Sequence, residues 1–273
     1  MSTALKKGKV IIAGAGPGDP ELLTLKTLRY LQEADVVLAD RLVSAEILNC
    51  YVNPRAEIIY VGKQCRKGSS TPQSSINDLM VEQAAKNKLV VRLKGGDVSI
   101  FSNVLDELET LLSNNISYEI IPGVTAALGA AAYSGIPLTA RGYSTAVRFV
   151  TYYRSDVVTE EYWKELANTN DTLVFYMSAE TLGSVVKNLL SHGISSDKKI
   201  AVIGQATTPE QNVKTFNLNE FEGNDYISPT IAIIGKVVEL GEKFSWLPNN
   251  EHPEEYFKAP VLNHQFSERK SKT

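Results

Sequence analysis

Short apolar runs rich in Val and Ile alternate with longer amphipathic stretches along most of the 273 residues. This alternation is typical of α/β folds, in which helices connect the strands of a largely parallel sheet. In the first half, the pattern predicts strands at Val10–Ala13, Val36–Ala39, Glu57–Val61, Leu89–Leu93 and Tyr118–Ile121. It also predicts helices near Leu25–Gln32, Pro72–Ala85, Val104–Leu112 and Val124–Tyr133.

A second series of the same kind follows, which predicts a second α/β domain. Its strands are expected at Val147–Tyr152, Thr172–Tyr176, Ile200–Ile203, Val213–Phe216 and Thr230–Ile234, with a helix near Leu182–Leu190. The segment 135–142 between the two series is rich in Gly and Pro, so we place a boundary there. This division gives an N-terminal domain over residues 1–138 and a C-terminal domain over 139–247. Residues 248–273 show no periodicity and are expected to form a flexible tail.

Composition narrows the class of protein. With 43% hydrophobic residues the chain can build a core, and two cysteines cannot form a disulfide framework, which indicates a reducing cytoplasm. No apolar stretch approaches the roughly 18 residues of a membrane span. A net charge of −3 argues against general nucleic-acid binding. Residues 61–100, however, carry seven Lys or Arg against three acids, which suits a small anionic ligand.

Three glycines in five residues follow the first strand, in GAGPGDPELLTL (14–25). They allow a sharp turn and a close approach of backbone to ligand. A dinucleotide site, with Asp40 as the ribose-binding acid, is one interpretation. Against it, the third glycine comes one residue early, and Pro17 and Pro20 delay the helix. A purely structural turn is the other alternative.

The fourth strand leads into a second such loop, in VVRLKGGDVSIF (90–101). Gly95 and Gly96 open the backbone beside the carboxylate of Asp97, at the sheet edge where parallel α/β proteins bind ligands. A structural alternative makes Asp97 the N-cap of the next helix. A third unusual segment, IIPGVTAALGAAAYSGIPLTARGYS (120–144), contains Thr125 within a run of small residues that favours close packing.

These segments carry a family resemblance. GAGPGDPELLTLKTLRYLQEADVVLADRLVS, VGKQCRKGSSTPQSSIN, VVRLKGGD, IPGVTAALGAAAYSGIPLT, RGYSTAVRFVT, TLVFYM and TTPEQNV occur in one order over about residues 8–247. Together they resemble the tetrapyrrole (corrin/porphyrin) methylase family, and most closely its uroporphyrinogen-III C-methyltransferases. The resemblance implies the class III methyltransferase fold of two α/β domains, with S-adenosylmethionine in the cleft between them, and a homodimer.

The resemblance also implies site residues, position by position. Asp40 matches the proton acceptor and Lys63 the proton donor. The implied cofactor-binding residues are Pro17, Gly95, Gly96, Asp97, Ile100, Thr125, Ala126, Met177 and Ala206. The implied reaction methylates uroporphyrinogen III at C2 and then C7 to give precorrin-2, the entry to siroheme and cobalamin. No metal is expected, because the three histidines share no ligand spacing with the cysteines.

The implied substrate carries eight carboxylates, which gives the basic residues in or beside the motif loops a purpose. Guanidinium and ammonium groups bind carboxylates through charge-assisted hydrogen bonds. The candidates for substrate binding are Arg41, Arg66, Lys67, Arg141 and Arg148, together with Lys63. The structural alternative for each of them is a solvated surface charge.

Several positions depart from the family pattern. Where the subgroup reads DPFIFGRGGEE, this chain has DVSIFSNVLDE (97–107), and Ala140, Ser178 and Ala206 replace a histidine and two glycines. These changes lie beside the expected cleft and bear on substrate contacts and on the efficiency of the two methylations. A methylase of another corrinoid precursor or another acceptor therefore stays open. The remaining alternatives are a nicotinamide-linked oxidoreductase and a non-catalytic cofactor-binding protein.

Overall fold

The computed structural model describes residues 8–61, 72–152, 158–223 and 226–258. The chain forms two compact units, and the break between them lies at Val124/Thr125. The first unit also takes in Phe257 and Lys258. The predicted boundary at 138/139 falls inside the second unit. The reason is close packing: a Cβ on Gly135 would lie 2.3 Å from the carbonyl oxygen of Phe244, a residue of the second unit.

The first unit contains a five-stranded sheet. Its strands are β1 (Lys9–Gly14), β2 (Val36–Ala39), β3 (Glu57–Tyr60), β4 (Leu89–Lys94) and β5 (Ser117–Ile121). They lie in the order β3-β2-β4-β1-β5, and every pair is parallel. All five carboxyl ends therefore point to one edge, as the α/β pattern predicts.

Four helices cover the faces of this sheet: α1 (Leu25–Glu33), α2 (Ala45–Tyr51), α3 (Gln73–Ala85) and α4 (Val104–Ser113). Thr24 begins α1, because its hydroxyl accepts the N–H of Thr27 at 3.2 Å. Leu31 of α1 and Ile47 of α2 pack on one side of the sheet, whereas Met80 of α3 and Leu111 of α4 pack on the other. Alternation along β4 consequently sends its even-numbered side chains toward α3 and α4.

The second unit contains a mixed sheet. Its strands are β6 (Val147–Thr151), β7 (Thr172–Tyr176), β8 (Lys199–Gly204), β9 (Asn212–Asn217) and β10 (Thr230–Gly235). The order is β6-β7-β10-β8-β9, and only β6 and β7 pair in parallel. Its helices are α5 (Ala126–Ser134), α6 (Glu160–Asn168), α7 (Leu182–Ser191) and α8 (Gly241–Phe244). Short 3₁₀ helices occur at Pro20–Leu22 in the first unit and at Leu218–Glu220 and Lys236–Leu240 in the second.

The start of the predicted tail is hydrogen-bonded to the second unit. Val213 N–H donates to Asn249 Oδ1 at 2.7 Å, and Asn250 N–H donates to the carbonyl of Gln211 at 3.3 Å. Residues 248–256 thus lie against the second unit, because β9 and the loop before it leave polar groups that this segment satisfies. Residues 259–273 lie outside the described part of the chain. Within the described ranges, no helix is long and apolar enough to cross a membrane.

Candidate functional site

Three glycine turns pack backbone against backbone at the carboxyl ends of β1, β4 and β5. A Cβ on Gly123 would lie 2.3 Å from the carbonyl oxygen of Gly96, and one on Gly14 would lie 2.6 Å from the same atom. Gly16 and Gly96 also exchange two backbone hydrogen bonds, of 3.1 and 2.7 Å. Because side chains do not fit at these points, the turns present backbone groups at the ligand-binding edge of the sheet.

The predicted cofactor-binding residues of the first unit lie in or beside these turns. Pro17 is buried directly after Gly16, which has a φ of 78°. Gly95 contacts the loop after β2, since a Cβ there would lie 2.7 Å from Leu42 Cβ. Ile100 is half-buried farther along the same loop as Gly95. The structure therefore brings both predicted glycine loops together at one edge.

Asp97 connects two of the turns. Its Oδ2 accepts the N–H of Gly123 at 2.9 Å, and its Oδ1 accepts the N–H of Ser99 at 2.7 Å. The capping alternative for Asp97 is wrong, because α4 starts only at Val104, with Asn103 at the N-cap. Since an ionised carboxylate offers about four lone-pair sites, Asp97 keeps acceptor capacity for a ligand hydroxyl.

Asp40 lies at the same edge, directly after β2, and heads a chain of charged side chains. Its Oδ1 accepts from Arg92 Nη2 at 2.9 Å. Arg92 Nε donates to Glu107 Oε1 at 2.9 Å, and Lys94 Nζ donates to Glu107 Oε2 at 2.8 Å. We call these four residues the Asp40 cluster.

Alternation along β4 explains why these cations are inside the protein. Arg92 and Lys94 share the face that α3 and α4 cover, and α4 brings Glu107 to meet them. Burial alone would lower the pKa of the Arg92 guanidinium, but Asp40 and Glu107 outweigh it and raise that pKa. Burial and the Arg92 charge lower the pKa of the Lys94 ammonium, which Glu107 offsets only in part.

The predicted substrate-binding cations of the first unit are only partly described. Arg41 is half-buried next to Asp40. Burial raises the pKa of the Tyr60 phenol, and the nearby Arg41 charge opposes this effect. Lys63, Arg66 and Lys67 lie outside the described residues, so their roles stay predictions.

In the second unit, the structure brings the start of α5 to the end of β7. The Tyr176 and Thr125 hydroxyl groups lie 2.7 Å apart, and the N–H of Ala127 donates to the Tyr176 hydroxyl at 3.1 Å. Ala126 lies between these contacts, and Met177 follows Tyr176 with a φ of 53° and an exposed side chain. Three predicted cofactor-binding residues, Thr125, Ala126 and Met177, are therefore neighbours.

Ala206 lies in the tight loop after β8. It is buried, and both flanking residues, Gln205 and Thr207, have positive φ. Gln205 fixes the loop, since its amide donates to the carbonyl of Glu254 at 2.6 Å and accepts the N–H of Tyr256 at 2.6 Å. Gln205 thus connects the loop that contains Ala206 to Glu254 and Tyr256.

The two predicted arginines of the second unit have different surroundings. Arg141 is exposed in a turn closed by the Ala140 N–H donating to Ser144 O at 3.0 Å. Arg148 instead pairs with two carboxylates on the surface, Asp171 at 2.6 Å and Glu165. These partners use two of the five donors of its guanidinium, and a substrate contact of Arg148 stays a prediction.

The sequence analysis did not identify the buried residues of the Asp40 cluster. Arg92, Lys94 and Glu107 lie within motif segments, but the family resemblance implies no role for them. A usable signal existed: two cations at alternate positions of an otherwise apolar strand require a buried counter-charge. Tyr176, which organises Thr125, was likewise read only as part of a strand.

Comparison with known proteins identifies a family, curated relatives and solved structures that the chain resembles. The family model for Tetrapyrrole (Corrin/Porphyrin) Methylases matches residues 9–222. A siroheme synthase of Ruthia magnifica subsp. Calyptogena magnifica is 46% identical over 249 residues, which cover 90% of this chain and 52% of that protein. The chain spans about half the length of the curated relatives it matches.

Two solved structures resemble the chain along most of its length. Uroporphyrin-III-C-methyltransferase from Thermus thermophilus gives a TM-score of 0.73 at 31% identity. The match covers 89% of this chain and 98% of the Thermus thermophilus chain. A Thermus thermophilus uroporphyrin-III C-methyl transferase in complex with S-adenyl homocysteine gives a TM-score of 0.71 at 35% identity. This match covers 85% of our chain and 100% of the other.

Proposed function

Because the chain belongs to the tetrapyrrole (corrin/porphyrin) methylase family, we propose that it is an S-adenosylmethionine-dependent C-methyltransferase of uroporphyrinogen III. The proposed product is precorrin-2, formed by methylation at C2 and then at C7. One observation carries the proposal: the glycine turns after β1, β4 and β5 share a sheet edge with the partly exposed carboxylate of Asp40. This edge combines a backbone-lined ligand site with a base.

The residues present fit the proposed cofactor. Gly14, Gly96 and Gly123 approach so closely that a Cβ on Gly14 or Gly123 would collide with the Gly96 carbonyl. This packing keeps side chains out of the place where backbone groups would meet a nucleoside. Asp97 would accept from a hydroxyl while it still holds the Gly123 N–H. When bound, S-adenosylmethionine supplies the methyl group from its sulfonium centre.

Asp40 is proposed to take up the proton that the ring loses. Attack by a pyrrole carbon leaves the ring cationic, and a carboxylate stabilises that charge before it accepts the proton. Asp40 Oδ1 is bonded to Arg92, whereas Oδ2 accepts no hydrogen bond from any described residue. Oδ2 is therefore the atom that we assign to the proton transfer.

Cations of both units are proposed to bind the substrate carboxylates. Arg41 follows Asp40 directly, and Arg141 is exposed in the second unit. Lys63, Arg66 and Lys67 join the proposal from the resemblance alone, with Lys63 as the proton donor. We further propose that the protein is located in the cytoplasm and forms a homodimer. Analytical ultracentrifugation would test the homodimer, which should sediment with a mass of twice 29.9 kDa.

The test is anaerobic incubation of the protein with S-adenosylmethionine and enzymatically generated uroporphyrinogen III, followed by mass spectrometry. We expect the gain of two methyl groups and a rate at least about a hundredfold lower for Asp40→Asn. Asp197→Asn is the matched control, because the side-chain partners of Asp197 among the described residues are Lys236 and Ser195, and neither is a proposed site residue. Its rate should equal that of the unmodified protein.

Each other outcome has a definite meaning. Gain of a single methyl group would show that the altered 98–105 loop or Ala140 impairs the second transfer. No transfer, with S-adenosylhomocysteine binding still seen by calorimetry, would refute uroporphyrinogen III as substrate. The favoured alternative would then be a methylase of another corrinoid precursor.

A further inference from the structure

The Asp40 cluster opens to solvent at one end only. The side chains of Arg92, Lys94 and Glu107 are 2%, 3% and 0% exposed, whereas that of Asp40 is 33% exposed. The cluster therefore runs from a fully buried carboxylate on α4 to a carboxylate at the edge where the glycine turns meet. Any group at that edge meets the cluster through Asp40.

Arg92 is held so that its guanidinium has one orientation. Nε donates to Glu107, and Nη1 donates to the carbonyls of Leu38 and Leu93, each at 3.3 Å. These bonds leave Nη2 directed at Asp40 Oδ1. Since a planar guanidinium cannot turn one nitrogen without moving the others, Asp40 faces a fixed donor.

Glu107 is the buried carboxylate that binds both cations of the Asp40 cluster. Its two oxygens receive Arg92 and Lys94 separately, and Gln73 Nε2 also donates to Oε1 at 3.5 Å. With Asp40 ionised, two cations face two anions, so the cluster is neutral. Neutrality lets the cations remain buried while Asp40 carries its charge at the edge.

Fold stability alone does not explain such a cluster. Replacing buried ion pairs with apolar residues of similar volume is often neutral or stabilising in other proteins. The other buried strand positions of this sheet are apolar, including Val90 and Val91 on the same strand. A buried cluster of charges that ends at a partly exposed carboxylate therefore points to a role at that carboxylate.

We propose that Arg92 is a positioning residue for Asp40, and that Glu107 and Lys94 position Arg92. This inference rests on the proposed function, since it assumes that Asp40 is the base. Arg92 fixes Oδ1 by its hydrogen bond and so directs Oδ2 outward from the sheet edge. Loss of Arg92 should then impair the proton transfer while leaving the glycine turns, and cofactor binding, intact.

A double-mutant cycle tests the proposal with Asp40→Asn, Arg92→Met and the two combined. We expect Arg92→Met to lower kcat at least about tenfold with a smaller change in KM. Because both residues serve one step, the double variant should be no more than about twofold slower than Asp40→Asn alone. Affinity for S-adenosylhomocysteine, measured by calorimetry, should stay within about threefold of the unmodified protein.

Two further variants separate positioning from folding. Arg92→Lys keeps the charge but loses the planar fork, so it should fold and bind S-adenosylhomocysteine yet show the same kcat defect. Lys198→Met is the matched control, because Lys198 is a buried cation of the second unit that bonds only a backbone carbonyl, that of Thr169, among the described residues. It should lose stability but keep kcat.

Losses of kcat that multiply in the double variant would overturn the proposal, as would a kcat for Arg92→Lys equal to that of Lys198→Met.

Crystal structures of Arg92→Lys and Arg92→Met give a result that needs no turnover. We expect the Asp40 carboxylate to rotate or to occupy several orientations. If it keeps its orientation, the proposal fails. If the unmodified protein transfers no methyl group, the proposed function fails, and the crystal structures alone decide whether Arg92 positions Asp40.

Discussion

The Asp97 carboxylate accepts the backbone N–H of Gly123 at 2.9 Å and so joins the turn after β4 to the turn after β5. Asp97→Ala removes this bond and the one to Ser99. Hydrogen bonds to charged groups contribute about 1.5–3 kcal/mol each, so loss of the two should lower the free energy of unfolding by about 3–6 kcal/mol. S-adenosylhomocysteine binding should also fall, by at least about tenfold. Urea unfolding and calorimetry measure the two effects.

Asp35→Ala is the control for that prediction. Asp35 Oδ2 accepts the N–H of Leu89 at 2.7 Å, which is the same kind of bond at the amino-terminal end of the sheet. This variant should lose stability without losing ligand affinity. Equal loss of affinity in both variants would contradict a special role for the Asp97 connection.

The Tyr176 hydroxyl leads to a second prediction, for the other unit. Tyr176→Phe removes a group that meets both the Thr125 hydroxyl and the Ala127 N–H. Leaving these buried groups unpaired should lower the free energy of unfolding by about 1–3 kcal/mol and weaken S-adenosylhomocysteine binding. Thermal unfolding and calorimetry are the measurements.

Tyr226→Phe is the matched control for Tyr176→Phe. The Tyr226 hydroxyl is buried and has no hydrogen-bond partner among the described residues. Its removal should leave stability unchanged or raise it, because an unsatisfied polar group is lost. A loss of stability as large as that of Tyr176→Phe would contradict the assignment of the effect to the two hydrogen bonds of the Tyr176 hydroxyl.

The sequence predicts the strands better than the helices. All ten expected strands are present, with ends that coincide or differ by one residue, because buried strands are continuous Val and Ile runs bounded by polar residues. The helices at Ala45–Tyr51 and Glu160–Asn168 were not predicted. The first is only two turns long, and its buried side chains include just Ile47 and Leu48, too few to show a period.

The site was predictable where it depends on local chemistry. Adjacent parallel strands place their following loops at one edge, so two glycine loops could be paired from sequence alone. The contact of Arg92 with Glu107 was not predictable in this way. It depends on α4 crossing the face of β4, and tertiary packing of that kind has no local signal in the sequence.

Glu119 leads to a prediction about acid stability. Hydrogen bonds from Lys26 first, then from Lys9 and Tyr30, lower the pKa of the Glu119 carboxyl from 4.5 to about 2. A carboxyl with a lowered folded pKa stabilises the protein above its unfolded pKa. That contribution disappears as the pH falls from 4.5 to about 2. Glu119→Gln should therefore lose stability at neutral pH and differ less from the unmodified protein in acid.

Urea midpoints at neutral pH and at about pH 3 check this prediction. Because Glu119 and its partners lie on the surface, high salt should reduce the difference in stability between Glu119→Gln and the unmodified protein at neutral pH. Glu82→Gln is a suitable control, since Glu82 forms an ion pair only with Lys86, at the end of α3, among the described residues. An equal effect of both variants would mean that the Glu119 partners add nothing.

The segment 248–256 leads to the last prediction. Its contacts with the second unit include the paired bonds of Gln205 with Glu254 and Tyr256, and the bond from the N–H of Glu254 to Glu210 Oε2 at 2.8 Å. Truncation after Leu247 removes these bonds, and at about 0.5–1.5 kcal/mol each their loss should lower stability by about 2–4 kcal/mol. Binding of S-adenosylhomocysteine should weaken as well, because Gln205 holds the loop that contains Ala206. Truncation after Lys258 keeps every one of these bonds and should change neither property. A free segment, as the sequence pattern alone predicts, would make the two truncations indistinguishable in thermal unfolding and in calorimetry.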